Sequence, residues 1–217
     1  KDILGFPLTH TNNGWLNLAT NASDSGTYVQ ASKSSVYNFG TGSFSFDGWL
    51  KRNGNPAASE TIFYIGLGAS GRTALEVRSA EAGQAKFNID EGTYEASCLT
   101  TDATWCDGDW HYFACVVNRD SATQYIQIFK DDKLIAQENS LSSITSVKSM
   151  DCSGGDLFLG KHGEADGFFH GSLDEIRIYN RALDDVVDGA PSDDKNLTVS
   201  TTGEVLKNYK HGKSKHS

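Results

Sequence analysis

The sequence predicts an all-β fold, two antiparallel sheets packed as a sandwich, and three observations carry that expectation. Short stretches alternate apolar and polar residues through most of the chain, the period of a half-buried strand. Gly, Ser, Asn and Asp punctuate them at near-regular intervals, with 22 Gly and only 3 Pro in 217 residues. No amphipathic helix of any length stands between them. A chain of this length holds one large sandwich domain and buries its core without needing disulfides.

In chain order, the first strand segments are WLNLA (15–19) and TYVQAS (27–32), separated by the turn-rich NASDSG. SFSFDGWLK (43–51) follows, with Phe44, Phe46 and Leu50 on one face and Asp47 and Trp49 on the other. TIFYIGLG (61–68), TALEVRS (73–79) and AKFNID (85–90) are each bounded by Gly, Asn or Asp. WHYFACVVN (110–118) and YIQIFK (125–130) come next, and KDDK turns the chain into KLIAQE (133–138). DLFLGK (156–161) and SLDEIRIYN (172–180) complete the strands, and RALDDVV (181–187) is the one short helix expected, after the last core strand. The sandwich is expected over 1–190, and a linker-like APSDDKNLTVSTTG leads into a basic extension over 191–217.

A formal net charge of −9 argues against nucleic acid as partner, because phosphate binding needs a basic face. The charge is uneven: from Lys195 onward the tail carries five Lys and one Glu, leaving −13 on residues 1–194. No apolar run is long enough to span a bilayer as a helix. Lys1 in place of an initiator Met reads as a processed or trimmed chain. Sequons at Asn21 and Asn196 are candidate glycosylation sites and suit a secreted product. Cys98 and Cys106 flank a short polar loop that a disulfide would close. Cys115 lies on the Phe113/Val117 face, either as a buried thiol or paired with Cys152, and the cysteine spacing matches no zinc pattern.

One stretch poses a physical problem. In GSLDEIRIYNRALDD (171–185), plain alternation puts Ile176 and Ile178 on one face and Glu175, Arg177 and Tyr179 on the other. Asp174 then falls on the isoleucine side, where an unpaired charge is costly to bury.

Several segments together resemble the laminin-G-like jelly roll of the concanavalin A-like lectin and glucanase superfamily. FGTGSFSFDGWLK (39–51) is similar to that family's glycine turn and aromatic strand, and DGDWHYFACVV (107–117) to its Asp-Gly-x-Trp-His strand entry. IFKDDKLIA (128–136) resembles the hairpin that follows, and GFFHGSLDEIRIYNRAL (167–183) the family's most recognisable element. Together these cover roughly residues 25 to 187. GEVLKNYKHGKSKH (203–216) is similar to the ending of such modules in phage and viral proteins.

The resemblance implies a structural Ca²⁺ held by Asp174, with Asp24 in NASDSG as a second ligand. The alternative is an Asp174 that accepts backbone N–H groups at a turn, with no metal. Glucanases of this superfamily carry a Glu-x-Asp-x-(x)-Glu strand whose carboxylates sit about 5 Å apart. Here Glu164-Ala165-Asp166 has no second Glu at that spacing, and the adjacent Asp174 and Glu175 point apart on a strand. The chain is therefore expected not to be an enzyme.

A binding role remains. Sugar sites pair an aromatic platform with a few polar groups that fix the hydroxyls. TYEASCLTTDATWCDGD (93–109) offers Tyr94, Asp102, Trp105 and Asp107, and KHGEADGFFHG (161–171) offers His162, Glu164, Asp166 and Phe168, with Phe169 packing inward; the alternative for Trp105 is a half-buried loop anchor and for Phe168 plain packing. The expected function is a non-catalytic, extracellular or surface-exposed recognition module for glycans or surface glycoproteins. The alternative is a structural or adhesion protein of a virion or cell surface that binds proteins through the sandwich and basic tail.

Overall fold

The computed structural model describes residues 15–18, 26–67, 71–78, 83–101, 104–120, 122–131, 133–139, 147, 149–163, 167–183, 197–199 and 205–207. Its strands are β1 (Leu16–Asn17), β2 (Val29–Ala31), β3 (Asn38–Gly40), β4 (Phe44–Asn53), β5 (Glu60–Gly66), β6 (Arg72–Arg78), β7 (Gln84–Asp90), β8 (Glu95–Leu99), β9 (Asp107–Asn118), β10 (Tyr125–Lys130), β11 (Lys133–Glu138), β12 (Met150–Asp151), β13 (Leu157–Leu159), β14 (Ser172–Tyr179), β15 (Leu197–Val199) and β16 (Val205–Lys207). The larger, eight-stranded sheet runs β11-β10-β9-β4-β14-β15-β16, with β1 also on β14. The smaller, six-stranded sheet runs β2-β13-β5-β6-β7-β8, and β12 pairs with β3. Among the described residues every strand pair is antiparallel. The jelly-roll sandwich expected from the sequence is the observed fold.

Its core is the set of inward residues that alternation selects. Phe44, Phe46 and Leu50 of β4, Phe113, Cys115 and Val117 of β9, and Ile126 and Ile128 of β10 come from the large sheet. Phe63 and Ile65, Leu75 and Val77, Phe87 and Ile89, and Leu157 and Leu159 answer them from the small sheet. Phe46 stacks on Phe63 across the sandwich with ring centroids 4.3 Å apart. A second apolar cluster lies on the outer face of the large sheet, where Trp49, Tyr112, Ala114, Val116 and Tyr179 are covered in part by Ala182 and Leu183. Ser45 anchors that cover: its hydroxyl donates to the Arg181 carbonyl and accepts the Leu183 N–H.

Several expectations need correction. Arg181–Leu183 is not helical, and the rest of RALDDVV lies outside the described residues; among the described residues the helical turns are short 3-10 turns at Ser35–Tyr37 and Thr104–Cys106. Part of the linker-like stretch is strand: Leu197 and Thr198 pair with Ile178 and Arg177, so the C-terminal extension widens the large sheet. No Cys98–Cys106 disulfide exists. All four cysteines are free, buried thiols. Cys98 sits on an inward position of β8 and Cys106 in the core beyond the next turn, so both pack against apolar neighbours. Burial pushes the Cys98 and Cys152 thiols up to about 12, and Cys115 also well above its ordinary value.

The paradox of Asp174 is resolved by a β-bulge. Register runs Leu173↔Leu50 and Asp174↔Trp49, then resumes at Arg177↔Asp47 and Ile178↔Phe46, so β14 carries one extra residue. Glu175 adopts φ 51°, the left-handed conformation such a bulge requires. Parity flips there: Leu173, Ile176 and Ile178 all enter the core, while Asp174 takes the outer face beside Trp49. Simple alternation placed Asp174 with the isoleucines, and the bulge overturns that placement.

Candidate functional site

Lys161–Gly163 and Phe168 lie on the outer face of the small sheet. In the Leu-Phe-Leu run of β13, Leu157 and Leu159 enter the core and Phe158 points out. Val29 and Ala31 likewise point in, which turns Tyr28 and Gln30 outward on the neighbouring strand. Phe158 is in register with Gln30 on one side and Tyr64 on the other. His162 and Gly163 pack onto this row. His162 lies 4.6 Å from the Tyr64 ring, and a Cβ at Gly163 would come within 2.5 Å of Tyr64 Cε1, so Gly163 allows the backbone to rest on that ring.

Lys161 is the centre of the cluster. Its ammonium stands 4.7 Å from the ring centre of Tyr28, 5.6 Å from Phe158 and 5.8 Å from Phe168. These distances are inside the range of a cation–π contact. Phe168 is half-buried and packs on Gly26, where any side chain would collide with its ring. Tyr28 is 38% exposed and 6.3 Å from Phe168. Beside them Asp156 accepts from Gln30 Nε2 at 2.5 Å and from the Lys33 N–H at 2.8 Å. The result is an aromatic platform bearing an ammonium, with amide and carboxylate at its margin.

Of the sequence-derived site residues, His162 and Phe168 stand in this cluster, and Phe169 is buried in the core as expected. Glu164 and Asp166 belong to the same loop but lie outside the described residues, as do Asp102, Asp24, Asn21 and Asn196. Tyr28, Phe158 and Lys161 were missed, although the outward phase of Tyr28 against Val29/Ala31 and of Phe158 between two leucines was readable.

The second proposed loop does not hold together as a site. Residues Glu95–Leu99 form the strand β8 between Tyr94 and Trp105, where the sequence suggested one continuous loop. Tyr94 is exposed, but Trp105 is 0% exposed and belongs to the core. Lys130 lies over the Trp105 ring at 5.5 Å and His111 stands edge-on at 6.4 Å. Trp105 is thus a structural anchor, not a ligand platform. Asp107 is exposed and engaged: it accepts the Asp109 N–H at 2.9 Å and contacts His111 Nε2 at 3.0 Å.

His111 bridges two carboxylates, with Asp131 Oδ2 3.2 Å from Nδ1. Burial opposes the charged ring, but the hydrogen bonds to Asp131 and Asp107 outweigh it and hold His111 above its ordinary value. His170 is engaged elsewhere: Glu60 takes its Nδ1 at 2.9 Å and also the Arg52 guanidinium, in a buried group beneath the loop. His111 and His170 therefore do structural work at strand ends.

Asp174 accepts the Glu175 N–H at 2.9 Å through Oδ1, the turn interaction weighed against calcium from the sequence. Among the described residues no three of His, Cys, Asp and Glu converge as a metal shell. Calcium takes six to eight oxygens, main-chain carbonyls among them, and Asp24, the second ligand the resemblance implies, lies outside the described residues.

A laminin G family model, described as the concanavalin A-like lectin/glucanases superfamily, matches residues 23–185. The chain belongs to this superfamily. Among curated proteins none matches it in sequence. Similar solved structures include mouse laminin alpha1 chain domains LG4-5, at a TM-score of 0.57 and 14% identity, covering 83% of this chain and 50% of that one. The CBM40 domain of Ruminococcus gnavus IT-sialidase bound to alpha2,6 sialyllactose is similar at 0.51 and 14%, covering 72% of this chain and 94% of that one. The binding domain of Botulinum neurotoxin DC in complex with rat synaptotagmin II is similar at 0.54 and 13%, covering 77% and 39%. This superfamily member thus spans half of the laminin fragment and well under half of the toxin domain. At these identities the likeness is one of fold. Among the described residues no helix is long and apolar enough to cross a membrane.

Proposed function

We propose that this superfamily member is a non-catalytic, extracellular or surface-exposed recognition module that binds glycans through the outer face of its small sheet. The observation that carries this reading is the Lys161 ammonium set among the rings of Tyr28, Phe158 and Phe168, with Tyr28 open to solvent. A pyranose presents an apolar C–H face to an aromatic ring, and an ammonium beside it supplies donors to a hydroxyl or carboxylate. The ammonium favours sugars carrying a carboxylate. A structural neighbour, the CBM40 domain bound to alpha2,6 sialyllactose, supports a glycan ligand.

The test is a glycan array with the full chain and with Lys161→Ala and Phe168→Ala. Binding to a defined set of acidic glycans, reduced at least tenfold by each substitution, is the expected result. A blank array from folded protein would overturn the reading and favour a protein partner. Glycan cleavage by the purified chain would overturn the non-catalytic part.

A further inference from the structure

The outer face of the large sheet carries a second aromatic platform. Trp15, just ahead of β1, is 48% exposed, and its ring meets that of Trp110 at 6.2 Å and 76°. Trp110 lies on β9, and its own outer neighbour across the sheet is the exposed Lys51 of β4. Lys51 is in register with Ser172 of β14, and Ser172 with Asn17 of β1. Cross-strand neighbours share a face, so Asn17, Ser172, Lys51 and Trp110 form one outward row. The next row brings Asp174 beside Trp49. An amide, a hydroxyl, an ammonium and a carboxylate therefore flank two indoles.

We infer that this row is a second sugar-binding site, taking a neutral pyranose, distinct from the Lys161 platform. An indole held at half exposure keeps about the largest apolar contact area a side chain offers, and it is ordered here by its edge contact with Trp110. The flanking groups provide both donors and acceptors with opposite charges, Lys51 and Asp174, which suits a ring of hydroxyls better than an anion. Phe158 and Tyr64 on the small sheet and Trp110 and Lys51 on the large sheet face away from each other. The sheets themselves stack about 10 Å apart, so no single short glycan touches both sites. One chain then bridges two glycans.

The experiment titrates the full chain with lactose, cellotriose and chitotriose, following tryptophan fluorescence and isothermal heat. The Lys161→Ala/Phe168→Ala double variant is used so that the other platform is silent. Saturable binding of at least one probe by the double variant is expected, with affinity lowered at least tenfold by adding Trp15→Ala and retained by Trp15→Phe. Thermal melting checks that Trp15→Ala remains folded. No saturable signal with any probe, or a titration unchanged by Trp15→Ala, overturns the inference. Failure here leaves the array result of the small-sheet site untouched, and loss of that array signal leaves this titration untouched.

Discussion

Arg177 grips Asp47 with both arms of its guanidinium on the outer face of the large sheet: Nε donates to Oδ1 at 2.8 Å and Nη2 to Oδ2 at 3.0 Å. Tyr112 and Tyr179 donate their hydroxyls to the same Oδ2 at 2.6 and 3.1 Å. Asp47 is 3% exposed, so its charge depends on these four donors. Burial opposes the Arg177 charge, but Asp47 beside it raises its pKa, and burial with Asp47 also raises both phenols. The pair joins two stretches far apart in sequence, SFSFDGWLK and SLDEIRIYN, into adjacent strands. Replacing Arg177 by Met strands the carboxylate and costs about 3–5 kcal/mol in urea unfolding, while Arg177→Met with Asp47→Asn, which removes the charge and keeps an oxygen for the two phenols, recovers part of the loss. Additive losses in the double variant would show that the ion pair is not the coupling.

Gly48 and Ile176 impose a second, local constraint. Gly48 faces the extra residue of the β14 bulge, and a Cβ there would run into Ile176 Cδ1 and approach the Asp174 carbonyl to 3.2 Å. Gly48→Ala should destabilise by about 1–3 kcal/mol, because the core cannot absorb the volume. Glu175→Gly should move stability the other way, by about 0.5–1 kcal/mol, since it removes the left-handed strain at φ 51°. Thermal and urea melts of both variants decide it.

Most of the fold was legible because alternation is a local property. The Phe44/Phe46/Leu50 face, the inward Cys115 and the outward Trp49 followed from period two. What failed were features set by a single residue or by distant contacts. The bulge at Asp174 rests on one left-handed Glu, which no pattern announces. The strand β8 hid in a polar stretch, EASCL, so its neighbourhood reads as a loop and leaves Trp105 open between loop anchor and ligand contact. The Lys161 cluster draws Tyr28, Phe158 and Phe168 from three segments, and only the tertiary fold brings them together.

Thiol chemistry gives an independent check on the core. Burial raises the Cys98, Cys115 and Cys152 thiols far above the range in which thiolate forms at neutral pH. The native chain should therefore react negligibly with a thiol reagent over hours at pH 8. In denaturant without reductant, all four thiols should titrate. Two titrated groups instead of four would place a disulfide in the protein.

His111 makes stability fall as pH rises through neutrality. The ring contacts Asp107 and Asp131 on its two nitrogens, faces the Trp105 edge and lies near the Lys130 charge. Only the doubly protonated ring donates to both carboxylates; a neutral ring donates to one and sets a lone pair against the other. The folded pKa is raised above the unfolded value near 6.5, so this contribution is complete below about pH 6.5 and is lost as pH climbs through the folded value. The carboxylates run opposite. For Asp131, burial raises the pKa and the His111 hydrogen bond more than reverses it; for Asp107, burial is outweighed by the Asp109 N–H and His111. Their contribution is present above about pH 4 and fades as pH falls through the lowered folded values. Melting temperature from pH 3 to 9 should show a maximum between about 4 and 6.5, with a decline above it that His111→Gln flattens. A His111→Gln profile that keeps the wild-type decline would assign it to other groups.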